Sequence, residues 1–351
     1  MLLAILAASS LPARAQWTIE TSNTTADLRG IHSIGGGVAW ASGTNGTVLR
    51  TEDGGYLWQS CTVPPGAEKL DFRGIQAFDA NTAIVMSSGK GDLSRLYKTT
   101  DGCHSWKLIF TNPDKDGFWD AISANGKNLT ILGDPVDGSF VIQSSKDGGA
   151  NWIRDELPPS LKDEGAFAAS NSSLLDAEQV DGRMWFGTGG PTGARIFIMC
   201  SPCTSKDFEK NGWSAKNIPI FGRSASAGVF SIAGNIPKSP GVLIAVGGDY
   251  ANPNATGSAV FSKDRFSWQP AQTVPHGYRS AVAYDPTSKT WITVGPNGTD
   301  ISTDDGKNWY ALRPDAHEAA DADRNWNALS LPFVVGPHGR IGKLDGAALK
   351  H

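Results

Sequence analysis

The chain is poor in charged residues, and basic residues do not cluster along it. Charged residues make up 19% of the 351 positions, and 31 Lys and Arg stand against 35 Asp and Glu, for a net charge of −4. Nucleic-acid-binding domains carry a basic patch, and attachment to an anionic membrane surface needs clustered Lys and Arg. Because the sequence shows no such run, we expect neither nucleic acid nor an anionic membrane surface as a partner.

Long apolar runs are also scarce. Leu2–Ala8 is apolar but too short to span a bilayer, and Ala13-Arg-Ala15 then has the small-x-small form of a signal-peptidase site. These features predict a signal peptide over residues 1–15, a mature chain that begins at Gln16, and a secreted or periplasmic location. A merely apolar tail is the alternative. No later segment is long and apolar enough to predict a transmembrane helix.

Cysteine is rare, which excludes a disulfide-dense scaffold. The four thiols, Cys61, Cys103, Cys200 and Cys203, suit an oxidising compartment, and their pairing is open from the sequence. Cys200 and Cys203 have the spacing of a redox motif, but the preceding residues are typical of a strand. The helix dipole that lowers a thiol pKa is therefore missing. We expect a local disulfide or two packed thiols here, with a thiol oxidoreductase as the weaker alternative.

The common signatures of cofactor and nucleophile chemistry are missing too. The six histidines include no pair at zinc spacing, and no Gly-x-Ser-x-Gly elbow occurs. The glycine-rich Gly187–Gly193 stretch lacks the strand and helix that flank a dinucleotide site. We therefore expect neither a metal nor a cofactor.

Glycine and tryptophan are abundant, with 41 and 12 copies, and both belong to a repeated octapeptide. Its form is Ser/Thr-x-Asp-x-Gly-x-x-Trp, at residues 51–58, 145–152 and 302–309. Residues 99–106 carry Cys103 in place of the glycine, residues 262–268 are one position short, and residues 205–213 are one position long. The aspartates recur 40 to 60 residues apart, close to the length of a four-stranded propeller blade.

Each repeat contains a short first strand, an apolar second strand that ends in glycine, and a third strand that leads into the octapeptide. Seven first strands can be recognised: Leu28–Ile31, Phe72–Ile75, Trp119–Ile122, Phe167–Ser170, Val229–Ile232, Tyr278–Ala281 and Trp326–Leu329. Short strands apolar on both faces are typical of sheets packed between neighbouring sheets. The sequence predicts an all-β, seven-bladed β-propeller that occupies residues 16–351 as a single domain.

The two ends of the chain predict how the ring closes. The last blade has a third strand at Gly339–Lys343, and the chain stops before a fourth. Trp17–Glu20 is a strand without a blade at the N-terminus. We expect it to complete blade seven, because ring closure removes the exposed sheet edges.

The octapeptide itself has a structural explanation. Asp and Ser/Thr side chains bond backbone amides in tight turns, and glycine supplies the unusual backbone angles. A structural role is therefore expected for Asp53, Asp101, Asp147, Asp264 and Asp304. Since turns alternate between the two faces of a propeller, a binding site is expected on the opposite face.

That opposite face contains the candidate functional residues. The second residue of each first strand should surround the channel mouth: Arg29, Arg73, Asp120, Ala168, Phe230, Arg279 and Asn327. The ends of the second strands add Asp134, Asp137, Asp249 and Tyr250, and a long loop adds Glu164. Guanidinium groups bind carboxylates with two hydrogen bonds, which predicts ligand binding by Arg29, Arg73 and Arg279. We expect Asp137 and Asp249 to take part in binding at the same face.

Two other interpretations of this face stay open. A carboxyl beside the arginines could act as the general acid of glycoside cleavage, with Asp120, Asp134, Glu164 and Tyr250 as catalytic candidates. Alternatively, the arginines pair with Asp120 and Asp134 in a buried ring of salt bridges, which would be purely structural.

The octapeptides resemble those of the Asp-box (BNR) propellers, which include sialidases and the photosystem II stability/assembly factor family. The blade openings Leu28-Arg-Gly-Ile31 and Phe72-Arg-Gly-Ile75, and the ending Gly339–Leu344, are most similar to the assembly factors. That resemblance implies a protein that binds and stabilises partner proteins through an arginine-bearing face, without catalysis.

The sialidase motif Phe/Tyr-Arg-Ile-Pro is matched only in part, since Phe72-Arg73 is followed by Gly74-Ile75. A sialidase-like site would need Tyr250 or Tyr278 as nucleophile with Glu164. The sequence therefore predicts an exported, monomeric, non-catalytic propeller that binds a protein or glycan partner. A sialidase-like glycoside hydrolase is the alternative.

Overall fold

The chain forms an all-β, seven-bladed propeller. A computed structural model describes residues 16–155, 158–177, 183–200, 212–220, 222–235, 241–316 and 318–349. In these residues the strands form seven four-stranded antiparallel sheets, and the helical content is two short 3-10 turns at Gly91–Leu93 and Gly346–Leu349. No helix in the described ranges has the length and apolar character needed to cross a membrane.

The first four blades follow the chain in order. Blade one holds β2 (Leu28–Gly35), β3 (Val38–Gly43), β4 (Val48–Thr51) and β5 (Gln59–Ser60). Blade two holds β6 (Phe72–Ala77), β7 (Ala83–Ser87), β8 (Arg95–Thr99) and β9 (Lys107–Thr111). Blade three holds β10 (Trp119–Asn125), β11 (Asn128–Val136), β12 (Ser139–Ser145) and β13 (Ile153–Arg154). Blade four holds β14 (Leu174–Ala177), β15 (Arg183–Thr188), β16 (Arg195–Cys200) and β17 (Trp213–Asn217).

The last three blades complete the ring. Blade five holds β18 (Ala227–Gly234), β19 (Leu243–Asp249), β20 (Ala259–Ser262) and β21 (Gln269–Pro270). Blade six holds β22 (Ala281–Asp285), β23 (Thr290–Gly295), β24 (Gly298–Ser302) and β25 (Tyr310–Ala311). Blade seven holds β26 (Ala328–Ser330), β27 (Phe333–Val335), β28 (Ile341–Leu344) and the N-terminal β1 (Trp17–Glu20).

The N-terminal strand closes the ring, as the sequence predicts. β1 runs antiparallel to β28, with Trp17 opposite Leu344 and Glu20 opposite Ile341. The Trp17 indole is 2% exposed and lies 5.9 Å from the ring of Trp326. Burial of an aromatic side chain of this size stabilises the strand in addition to its backbone hydrogen bonds.

The core lies between the blades. Middle strands are buried along their whole length, as in β7 and β23, because each sheet is covered on both faces by its neighbours. Large aromatics fill the interfaces, and Trp40, Trp119, Trp185 and Trp291 are fully buried. This packing explains why the second strand of each repeat is continuously apolar and does not alternate.

The octapeptides form the turns between the third and fourth strands. In the first copy, Thr51 Oγ1 donates to Asp53 Oδ1 at 2.8 Å and accepts from the amide of Gly55 at 3.0 Å. The Asp53 carboxylate also accepts from the amide of Leu57 at 3.1 Å. The same bonds recur around Asp101, Asp147 and Asp304, and a shortened set occurs at Asp264.

These hydrogen bonds stabilise the ionised aspartates. Bonds from the hydroxyl and amide of Ser105 and from the hydroxyl of Thr99 lower the pKa of Asp101 to about 2. The copy that begins at Ser205 lies mostly outside the described residues, Asp207 included, so its turn stays a prediction.

A disulfide joins Cys61, just after β5 of blade one, to Cys103 in the octapeptide of blade two. Their Cα atoms are 5.3 Å apart across a sequence separation of 42. Cys103 has a φ of 66°, so it adopts the left-handed backbone that the replaced glycine favours. Cys203 and the side chain of Cys200 lie outside the described part of the chain, and their pairing stays a prediction.

Blade four departs from the predicted strand assignment. Its first strand is β14, and the predicted first strand Phe167–Ser170 lies before it in the chain. Those residues belong to a segment, residues 165–173, that crosses the centre of the ring. Arg73 of blade two donates to the carbonyl of Ala168 at 3.1 Å, and the amide of Ile122 in blade three donates to Asn171 at 2.8 Å. The amide of Ile232 in blade five donates to the carbonyl of Ser172 at 2.8 Å. The apolar part of this segment, Ala166–Ala169, resembles a strand in sequence because it lines the central cavity.

Candidate functional site

A shared backbone irregularity builds the site. In blades one, two, three and five the first strand contains a β-bulge, where the register jumps over a single residue. The four skipped residues, Arg29, Arg73, Asp120 and Phe230, all line one central cavity of about 500 Å³. A bulge re-aims a side chain, and here it turns these side chains away from the blade interfaces toward the ring axis.

Arg279 does not belong to this set, so the prediction that it lies on the binding face is wrong. Its amide donates to the carbonyl of Gly247 at 2.8 Å, as the amide of Leu28 donates to Gly336 at 3.1 Å. Arg279 therefore occupies the position of Leu28 in the blade, and the next residue, Ser280, lines the cavity. The Arg279 side chain is fully buried, where it pairs with Asp300 and donates to Asn297 Oδ1 at 2.7 Å.

The two remaining arginines form one wall of the cavity. Arg73 Nε lies 2.8 Å from Asp71 Oδ2, and Arg29 Nε lies 3.8 Å from Asp71 Oδ1. Arg29 also has Asp27 at 3.9 Å. Within the described residues, both arginines thus pair with Asp27 and Asp71. They do not pair with Asp120 or Asp134, so the alternative of a buried ring of salt bridges is wrong. Each arginine side chain is 31% exposed and can still reach a ligand.

Two carboxyl groups, Asp120 and Asp134, lie deeper in the cavity. Asp120 is 1% exposed, and its Oδ2 atom has no hydrogen-bond partner among the described residues. Burial raises the pKa of Asp120 well above its usual value, the charge of Asp134 raises it further, and Arg73 opposes the shift. Asp134 Oδ1 accepts from the amide of Ala166 at 2.9 Å, and burial raises the pKa of Asp134 to about 6.

Four aromatic rings also line the cavity, and we call them together the aromatic wall: Phe167, Phe230, Tyr250 and Tyr278. The ring of Phe230 stacks on Phe167 at 4.1 Å and meets Tyr278 edge-on at 4.8 Å. Tyr250 is 56% exposed at the rim, with its ring 6.0 Å from Phe230. Burial raises the pKa of Tyr278, whose hydroxyl therefore stays neutral.

Three predicted site residues lie outside the cavity. The Glu164 carboxylate accepts from Arg195 Nε at 2.8 Å and is buried in that ion pair, so the structure does not bring it to Tyr250. Asp249 accepts from Ser226 at 2.6 Å, and Asp137 is exposed in the turn between β11 and β12. Among the described residues, no group of three or more His, Cys, Asp or Glu side chains could hold a metal ion.

Some cavity residues escaped the sequence-based selection. The sequence predicts Phe167 in a strand, although it lines the cavity. It also predicts Arg279 at the cavity, where the structure instead has the next residue, Ser280. Asn327 and Ala168 do line the cavity as expected, although Ala168 reaches it from the crossing segment and not from a first strand. Ser280 has no corresponding signal, because the first strand of blade six pairs without a register shift.

Solved structures of other proteins share this architecture. YCF48 bound to a D1 peptide is 17% identical, with 95% of this chain and 98% of that chain covered and a TM-score of 0.64. YCF48 from Cyanidioschyzon merolae is 18% identical, with coverage of 95% and 100% and a TM-score of 0.61. A GH74 xyloglucanase from Xanthomonas campestris is 16% identical at a TM-score of 0.62, with 94% of this chain and 53% of that chain covered.

A scan of protein-family models and a search of curated proteins find no match. At identities this low, likeness to solved structures shows the fold alone. The chain spans about half the length of the xyloglucanase and nearly the whole of both YCF48 structures. Its seven-bladed fold is therefore the one found in the photosystem II assembly factor YCF48, as the sequence resemblance implies.

Proposed function

We propose that this protein is an exported binding protein that holds a segment of a partner protein in the central cavity, without catalysis. The observation that carries the proposal is that two different kinds of side chain line the same cavity. Arg29 and Arg73 offer hydrogen-bond donors, and the aromatic wall offers apolar surface. Aromatic residues and arginine are also the residues that dominate binding energy at protein interfaces.

The size of the cavity supports a short segment as the occupant. Its volume of about 500 Å³ lies within the range of small-ligand pockets and can enclose one or two side chains. The exposed Tyr250 at the rim extends the apolar surface beyond the cavity, where more of a chain could lie. The structure of YCF48 bound to a D1 peptide supports a peptide segment as the occupant in a protein of this fold.

Two displaced residues argue against a sialidase-like site. Glu164 is bound to Arg195, so a nucleophilic tyrosine would lack its predicted carboxylate partner. Arg279 is buried in its own ion pair with Asp300, so three arginines do not converge on one ligand. Export is supported by the Ala13-Arg-Ala15 pattern and by the Cys61–Cys103 disulfide, since disulfides persist in oxidising compartments.

The proposal can be tested with peptides selected from a random display library on the mature wild-type protein. We expect Arg73→Ala and Tyr250→Ala each to weaken the selected peptides by about tenfold or more, equivalent to about 1.4 kcal/mol. Tyr310→Ala is the matched control, because Tyr310 is 61% exposed on the outer strand of blade six. Equal affinity of all four proteins for every selected peptide would rule the cavity out as the binding site.

Glycoside hydrolysis is a second candidate, favoured by Asp120 and Asp134. A glycosidase needs one carboxyl that stays protonated as general acid, and burial of Asp120 supplies such a group. The purified protein should then cleave xyloglucan oligosaccharides or aryl glycosides, and Asp120→Asn and Asp134→Asn should each lose that turnover. Absence of turnover by the wild-type protein on these substrates would remove this candidate.

A further inference from the structure

We propose that the floor of the cavity is a subsite for a primary ammonium group, the side chain of a lysine in the partner segment, held by Asp120 and Asp134. The inference deepens the proposed function and rests on it. The group bound deepest in the cavity would then be a cation, although the arginines that line the same cavity suggest an anionic ligand.

The balance of charge around the cavity favours a cationic ligand. Arg29 and Arg73 have Asp27 and Asp71 as partners, so their charges are already matched by two carboxylates. Within the ranges that the structure describes, Asp120 and Asp134 form no ion pair with a basic side chain, and both line the cavity. The two arginines and the four aspartates together carry a formal charge of −2 when all six side chains are ionised. A ligand of single positive charge lowers that imbalance, whereas a carboxylate increases it.

One oxygen of Asp120 accepts no hydrogen bond from any described residue. Buried acceptors almost always receive a hydrogen bond, and leaving one without a donor is costly. Asp120 Oδ2 is buried, has no partner among the described residues, and belongs to a side chain that lines the cavity. A ligand N–H group in the cavity would supply the missing donor. Asp134 differs, because the amide of Ala166 already occupies its Oδ1 atom.

The aromatic wall suits the whole lysine side chain. The methylene stem of lysine packs on apolar surface while its ammonium group seeks polar partners. Aromatic rings also attract a desolvated ammonium group through their electron-rich faces. A primary ammonium carries three N–H donors, enough for both carboxyls. An organic cation is favoured over a metal ion because two carboxyls supply too few ligands, and the described residues add no third.

The subsite should couple binding to proton release. The other titratable or charged groups around the cavity are Arg29, Arg73, Tyr250 and Tyr278, with Asp27 and Asp71 behind the arginines. Burial raises the pKa of Asp134 to about 6 and raises the pKa of Asp120 well above its usual value, so protons occupy the site at low pH. A bound ammonium group stabilises both ionised carboxylates and expels those protons. Affinity should therefore rise as the pH increases through about 6.

The experiment uses Nα-acetyl-lysine methylamide as the probe and Nα-acetyl-norleucine methylamide as its uncharged counterpart. We expect calorimetric titration of the mature protein to show lysine-probe affinity at least about tenfold higher at pH 8 than at pH 5. Titrations in buffers of different ionisation enthalpy should show net proton release. The norleucine probe should bind weakly at both pH values, because it cannot donate to Asp120.

Variants separate the subsite from general effects on the fold. Asp120→Asn and Asp134→Asn should each reduce lysine-probe affinity at pH 8 by about tenfold or more. Asp137→Asn removes an exposed carboxylate from the turn after β11 and should leave affinity unchanged. Thermal unfolding of each variant shows whether it is folded, and either aspartate variant alone suffices if the other is not.

Opposite results have distinct meanings. Equal binding of the lysine and norleucine probes, or lysine binding unchanged in both aspartate variants, overturns the ammonium subsite. Selected peptides that require Tyr250 and Arg73 but contain no basic residue would also overturn it, while the proposed function stands. Binding of the lysine probe in the cavity with no peptide dependent on Tyr250 or Arg73 would support the subsite and refute the proposed function.

Discussion

At the scale of single residues, the site is decided by a shift of one position. Arg73 and Arg279 both follow an aromatic residue at the start of a blade, and the sequence does not distinguish them. A bulge places Arg73 in the cavity, whereas Arg279 comes one residue before the equivalent position and points into the blade interface. One residue of register changes the face a side chain occupies, so sequence alone finds Arg29, Arg73, Asp120 and Phe230 but misplaces Arg279.

Arg279 is expected to act on stability and not on binding. Arg279→Met leaves the fully buried Asp300 with His276 as its remaining ion-pair partner, and should lower the free energy of unfolding by about 3 kcal/mol or more. Lys90→Met is the control, because the Lys90–Asp116 pair is exposed and should contribute less than about 1 kcal/mol. Urea unfolding measures both, and equal losses would contradict the buried role of Arg279.

Asp134 should make stability fall as the pH rises. Its pKa is about 6 in the folded protein against 3.8 ordinarily, so between these values the folded chain keeps a proton that the unfolded chain has released. The stability that this proton contributes is lost as the pH rises from about 4 to about 6. Asp134→Asn imitates the neutral acid, so its Tm should exceed that of the wild type at pH 8 and match it near pH 4. A Tm difference that does not vary with pH would contradict this account.

At the scale of strands and turns, the repeat predicts most of the fold. The octapeptide marks the turn before each fourth strand, and the glycine-ended apolar run marks each second strand. The predicted first strand of blade four is wrong, because Phe167–Ser170 has the composition of a strand but lies in the segment that crosses the ring. A buried apolar stretch looks alike in sequence whether it pairs in a sheet or fills a channel.

The disulfide between blades one and two should contribute measurably to stability. It closes a loop of 42 residues, for which the loss of chain entropy in the unfolded state corresponds to about 4 kcal/mol. The double variant Cys61→Ala and Cys103→Gly removes it and restores the octapeptide glycine. We expect its midpoint of guanidinium unfolding to fall and to be insensitive to reducing agent, while reduction lowers that of the wild type. An unchanged midpoint in the variant would show that the crosslink is dispensable.

At the scale of the whole molecule, closure of the ring joins residues from opposite ends of the chain. The sequence predicts this correctly because an incomplete last blade and an unassigned first strand complement each other. Trp17→Ala should cost about 3–5 kcal/mol, since it empties the site beside Trp326. Ile19→Ala on the same strand is the control, because Ile19 is 42% exposed. A Tm decrease of similar size in both variants would contradict closure by burial of Trp17.

The whole fold also separates the two faces of the ring. The octapeptide turns lie on one face, and the cavity opens on the other, where the first strands begin and the second strands end. The sequence could not show that the crossing segment 165–173 contributes to the cavity. Its hydrogen bonds to blades two, three and five each involve a backbone group, and backbone groups carry no sequence pattern.

Amide hydrogen exchange with and without a selected peptide shows whether the cavity is the binding site. We expect slower exchange in segment 165–173, at the bulges near Arg29 and Arg73, and just after β19 around Tyr250. The octapeptide turns at residues 51–58, 145–152 and 302–309 should exchange at unchanged rates. Protection of those turns, with none around the cavity, would contradict binding in the cavity.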